Sequence, residues 1–155
     1  MKEIVSLVPG FSVALARLPG TLGAYADLLA SLEHGTLSQR SRMEIGLVVA
    51  NRVRCDYCRW VMERLAANQG MREEDIFFAG MGISRGRREA AIVKIAQMMI
   101  AGAPLDPSAA ARAPQARMFT QNEFGEIVAQ VALSVLTCTV LQSVAPQTVT
   151  ARKEA

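Results

Sequence analysis

From Ile127 to Ala151 the chain carries no charged side chain. A run of that length can cross a bilayer. It also holds Gln130, Ser134, Thr137, Thr139, Gln142, Ser143 and Pro146. Those polar groups are costly in lipid unless protein surrounds them. A helix that is apolar on most faces belongs instead at the centre of a domain or in a subunit interface, so no membrane span is expected. Phe124, Ile127, Val128, Val131, Val135 and Cys138 recur at helical spacing. Thr120 and Glu123 ahead of them form the capping box that starts such a helix.

The rest of the chain repeats the pattern. Leu22, Tyr25, Leu28, Leu29 and Leu32 share a helical face, with Gly35 at the C-cap position. "LSQRSRMEIGLVVANRVR" is the next helix. Its start is open by three residues, because Ser38 fits an N-cap while Ser41 with Glu44 fits a capping box. A helix from Asp56 to Asn68 ends at Gly70, and a short acidic one follows in "MREEDIFFAG". Ile92, Ile95, Ala96 and Met99 mark a longer helix stopped by Pro104 and Pro107. "PSAAARAPQARM" is a short helix interrupted by Pro114, and "VTARKEA" is a frayed tail. No stretch alternates as a strand does. Aromatics are only 5% of a chain that is 51% hydrophobic, a balance that favours helix-on-helix packing. The expected fold is therefore all-α, with seven or eight helices in one domain over residues 1–155 and a core of about 19–146.

The formal charge is +3 and the basic residues are scattered, so nucleic acid is not an expected partner. The first residues carry Glu3 and break at Pro9-Gly10, without the apolar run of a secretory signal. The expected location is the cytoplasm. Three cysteines in a reducing compartment do not make a disulfide framework.

"RCDYCRWVMERL" places Cys55 and Cys58 three apart at a helix start. Unpaired N–H groups and the helix dipole there favour thiolate. Two thiols at this spacing can form and break a disulfide with little backbone movement, one attacking and the other resolving the sulfenic acid. Arg54 and Arg59 flank the pair and favour thiolate if they point inward. Structural zinc wants four ligands, and this chain offers one CxxC and the single histidine His34. Neither a metal site nor a cofactor is expected. Cys138 reads as a core residue, His34 as a helix C-terminal residue, and Tyr57 and Trp60 as packing residues, with bordering the site as the alternative for Tyr57 between the cysteines.

These residues resemble the carboxymuconolactone decarboxylase superfamily, and within it the alkylhydroperoxidase D-like branch. The resemblance runs from about Pro19 to Pro146, through "LSQRSRMEIGLVVANRVRCDYC", "NQGMREEDI" and "EFGEIVAQVALSVLTCTVLQS". The cysteine helix is its specific part. The resemblance implies a helical subunit assembled into trimers or hexamers and a thiol-dependent peroxidase acting on a peroxide or disulfide, with an external thiol as reductant. It implies that Cys58 attacks and Cys55 resolves. The match departs where protons are handled. Without gaps, the family's glutamate and histidine columns hold Met43 and Met62. A turn one residue shorter before Cys55 would put Glu44 in the acid role instead, and both alignments stand.

The expected function is thus a CxxC-dependent antioxidant peroxidase or disulfide oxidoreductase with a degenerate proton relay, carried by Cys58, Cys55 and Glu44. The alternative is a non-catalytic ligand-binding or redox-sensing oligomer whose pocket Met43 and Met62 make apolar. A third possibility is soft-metal binding by Met43, Met62, Cys55 and Cys58.

Overall fold

The computed structural model describes residues 2–17, 19–101 and 107–145. The tail and Pro104 lie outside the described residues. Among the described residues there are nine α-helices, one 3-10 helix and no strand. Helices α1 (Lys2–Leu7) and α2 (Pro9–Ala16) lead to α3 (Thr21–Glu33), α4 (Gln39–Arg52) and α5 (Asp56–Asn68). Then come α6 (Glu73–Gly80), α7 (Arg87–Met99), α8 (Pro107–Ala111), a 3-10 turn (Pro114–Met118) and α9 (Gln121–Val144). The chain is all-α, as its periodicity requires. The expected count is exceeded because Lys2–Leu7 forms its own helix and because Pro114 splits "PSAAARAPQARM" into two elements.

The centre of the bundle is α4. Residues 44 to 50 of this helix are all buried, in the sequence Glu-Ile-Gly-Leu-Val-Val-Ala. A helix buried on every side must be surrounded, and α5, α6, α7 and α9 surround it. The uncharged run takes a different place. Helix α9 is long and apolar enough to cross a membrane by length and composition, yet it buries a stripe: Ile127, Val131, Ser134, Cys138 and Leu141 among others. Several of its hydroxyls are satisfied locally. The hydroxyls of Ser134, Thr137 and Thr139 donate to carbonyls one turn back, at 2.8, 2.7 and 2.9 Å.

Helix ends follow local chemistry. Ser38 is the N-cap of α4, and its Oγ accepts the Ser41 N–H at 3.0 Å. That settles the three-residue ambiguity. Glu44 lies inside the helix and caps nothing. Thr120 and Glu123 form both halves of the expected capping box on α9. Gly70 takes φ +79°, the left-handed conformation that closes α5. Gly35 serves another purpose than the expected cap. A side chain there would collide with the Glu126 carboxylate, which accepts the Thr36 and Leu37 N–H groups at 2.8 and 2.9 Å. His34 is the C-cap of α3, as expected, and its N–H donates to the Ala30 carbonyl at 3.2 Å.

Candidate redox site

The site is built by the turn between α4 and α5. Arg54 sits at φ +52°, a left-handed conformation that is strained for a residue with a side chain. That turn delivers Cys55 in extended backbone to the N-cap of α5. The Cys55 sulfur accepts the Cys58 N–H at 3.1 Å, as a serine or aspartate would at an N-cap. Cys58 stands one turn on, with the two Cα atoms 5.2 Å apart and the sulfurs paired as a disulfide. One interaction therefore caps the helix and holds the thiols in contact.

The two sulfurs have unlike surroundings. Cys55 is half-buried, whereas Cys58 is 0% exposed. The Cys58 sulfur lies 3.4 Å from the carbonyl oxygen of Cys138 on α9. Cys138 itself is buried, and burial pushes its thiol up to about 12. It is a core residue, and its contribution to the site is its backbone. Arg59 does not turn toward the thiols. It pairs with Asp56 at 3.2 Å and Glu63 at 3.7 Å. Trp60 is not a packing residue: it is 42% exposed and stacks on Tyr57 with ring centres 6.0 Å apart. Buried Val61, Met62 and Leu65 occupy the inward face of α5 instead.

The residues in question for proton handling have other partners than the thiols. Glu44 is 1% exposed, and its Oε1 accepts the Arg40 Nε–H at 2.9 Å and the Ser84 hydroxyl at 3.0 Å. Among the described residues its Oε2 has no hydrogen-bond partner, and neither cysteine bonds to the carboxylate. Burial raises Glu44 above its ordinary 4.5, outweighing the hydrogen bonds from Ser84 and Arg40. Beside it, Asp75 is also buried, but Arg85, Arg72 and Arg40 reach it at 2.9, 3.1 and 3.5 Å. The Arg72 hydrogen bond leads the effects that hold Asp75 below its ordinary 3.8.

Met43 and Met62 meet on another side of α4. Both line a cavity of about 120 Å³ with Tyr25, Leu133 and Gln130, and no cysteine lines it. Gly46 makes this approach possible, since a Cβ there would stand 3.2 Å from the Met62 sulfur. Gln130 is 6% exposed, and its Oε1 has no partner among the described residues. Among the described residues no three His, Cys, Asp or Glu side chains converge as a metal site.

Sequence reasoning missed the Asp75 cluster and the Cys138 carbonyl. The acidic start of α6, with Arg72 just before it, was a signal for the first. A backbone acceptor leaves no signal at all. No family model matches the chain, and neither does any curated protein or solved structure.

Proposed function

We propose that the chain is a dithiol–disulfide oxidoreductase that reduces hydroperoxides or disulfides at Cys55 and Cys58. The observation that carries this reading is the pairing of the two sulfurs across the first turn of α5, with the Cys58 N–H donated to Cys55. A helix start that holds a thiolate and a second thiol in contact supplies the parts for a reversible two-electron cycle. The resemblance of "LSQRSRMEIGLVVANRVRCDYC" to the alkylhydroperoxidase D-like branch points the same way. Among the described residues no side-chain acid or base hydrogen-bonds to either sulfur, so the proposed cycle is slow. General acid–base assistance is worth roughly 10² to 10⁴ in rate, and that factor is missing. A reducing cytoplasm suits such a dithiol. An oligomer fits the same proposal, because Phe77, Met81 and Ile83 expose 64%, 55% and 51% of their surface close together in sequence. Hydroperoxide consumption with dithiothreitol as reductant tests the reading. Undiminished consumption by the Cys55→Ser/Cys58→Ser double variant would sink it.

A second reading is favoured by the methionine cavity. A space of about 120 Å³ suits a single-ring apolar molecule, since an apolar cavity of roughly 150 Å³ takes up benzene in another protein. A ligand that brings one N–H or O–H donor suits Gln130. Titration with phenol, followed through the methyl resonances of Met43 and Met62, tests it. Unmoved methyls at millimolar phenol refute it.

A further inference from the structure

We infer that Cys55 is the attacking sulfur and Cys58 the resolving one, the reverse of the order that the family resemblance implies. The inference rests on the dithiol reading and deepens it. Three observations carry it. First, Cys55 is the half-buried member of the pair, and Cys58 is 0% exposed. An oxidant from solution meets Cys55 first. Second, the Cys55 sulfur accepts a backbone N–H at 3.1 Å from the N-cap position. An acceptor role at the positive end of a helix stabilises the sulfur as thiolate. Third, the Cys58 sulfur faces a carbonyl oxygen, that of Cys138, at 3.4 Å. A carbonyl can only accept. In the reduced protein the Cys58 thiol donates its proton there, and the contact stabilises the protonated form. Burial away from water acts in the same direction. The fixed backbone partners therefore separate two chemically identical groups into a thiolate and a thiol.

The cycle follows from that polarity. The Cys55 thiolate attacks the outer oxygen of a hydroperoxide. An S–O bond forms, the O–O bond breaks, and the alkoxide that leaves takes a proton from solvent to become an alcohol. Cys55 is now a sulfenic acid. Cys58 gives up its proton and attacks the Cys55 sulfur. The S–S bond forms, and the hydroxide that leaves combines with that proton as water. The two electrons that cleave the peroxide come from the two thiols. An external thiolate then attacks the more accessible Cys55 sulfur, and Cys58 departs, regains a proton and returns to the Cys138 carbonyl. A second external thiol attacks its partner's sulfur in the mixed disulfide, releasing Cys55 as thiolate and leaving with the two electrons' worth of oxidation as an external disulfide.

The experiment uses the full chain after reduction and removal of reductant. Substoichiometric iodoacetamide at neutral pH, followed by mass mapping, should label Cys55 at least tenfold faster than Cys58. One equivalent of cumene hydroperoxide in the presence of dimedone should leave the adduct on Cys55 in Cys58→Ser. The same treatment of Cys55→Ser should give at least tenfold slower adduct formation on Cys58. Preferential labelling of Cys58, or equally fast dimedone capture at Cys58, overturns the assignment while leaving the dithiol reading intact. Thiols inert to both reagents overturn the dithiol reading itself. The alkylation arm needs no substitution, so a variant that misfolds does not remove the test.

Discussion

The cysteine turn and the Glu44–Asp75 cluster meet their polar needs with opposite materials. At the cysteines the partners are backbone: the Cys58 N–H on one sulfur and the Cys138 carbonyl on the other. Around Glu44 and Asp75 the partners are side chains: Arg40, Arg72, Arg85 and Ser84. Backbone groups do not titrate. On the inferred order the polarity of the dithiol is thus set by backbone geometry, while the buried carboxylates Glu44 and Asp75 are committed to arginines and a serine. On the proposed dithiol reading, a redox site built this way would work without a relay, and its rate would be limited for the same reason.

The largest effect should come from carrying a titratable group across that divide. Met62 follows Cys58 by one helical turn on α5, the spacing at which helix side chains are neighbours. Met62→His would set an imidazole within reach of Cys58. Hydroperoxide consumption should rise roughly a hundredfold, the lower end of the range for acid–base assistance. A rate within twofold of wild type, in a variant that keeps its helical circular dichroism, would show that the missing relay is not what limits the chain.

The next effect breaks the other region. Arg40 pairs with Glu44 and also reaches Asp75. Arg40→Ala removes a charged partner from a carboxylate that is 1% exposed. Breaking a fully buried pair costs roughly 3–5 kcal/mol. The Arg40 side chain is 40% exposed, and solvent screening reduces the expected loss to about 1–2 kcal/mol. Urea unfolding reads it. The order of cysteine alkylation should not change, and a reversed order would mean that the two regions are coupled.

How far the sequence shows this division depends on where each partner comes from. The limits of α5 were readable because its cap residues are local: a thiol at the N-cap and Gly70 in left-handed backbone. The capping box of α9 was readable for the same reason. The start of α4 was not, because Ser38 and Ser41 both carry hydroxyls at usable offsets. In the fold they cooperate, with their oxygens 2.9 Å apart. The choice between Met43 and Glu44 turned on a helix register that no neighbour in sequence reports. Asp75 draws arginines from three separate stretches, an arrangement that periodicity does not encode. The resemblance implied a role for each cysteine, but the Cys138 carbonyl that bears on those roles looks like any other peptide group.

Arg54 offers a smaller test of the cysteine turn. A non-glycine residue in left-handed backbone carries a penalty of roughly 1–2 kcal/mol. Glycine removes that penalty but gives back part of it through a freer unfolded chain. Arg54→Gly should therefore stabilise the protein by about 0.5–1 kcal/mol in urea unfolding. Destabilisation would mean that the Arg54 side chain holds the turn, and that strain is not what it contributes.

The smallest effect on rate belongs to Glu44, the acid that one alignment placed at the thiols. Glu44→Gln keeps an amide oxygen for Arg40 and Ser84, and it should leave hydroperoxide consumption within twofold of wild type. A loss of a hundredfold would be the mark of a general base and would tie Glu44 to the cysteines after all. The same substitution has a clearer signature in stability against pH. Burial raises Glu44 in the folded protein, so the folded state holds that proton more tightly than the unfolded chain does. Its contribution is full below the ordinary 4.5 and is lost as pH rises through the raised value. Asp75 has the opposite sign. Held low chiefly by Arg72, it contributes above the ordinary 3.8, and that contribution is lost as pH falls through its lowered value. Urea midpoints across this range should therefore lose their decline above 4.5 in Glu44→Gln and their acid limb in Asp75→Asn. If both substitutions flatten the same limb, the two carboxylates titrate as one unit, and the cluster has a single acid response in place of two opposed ones.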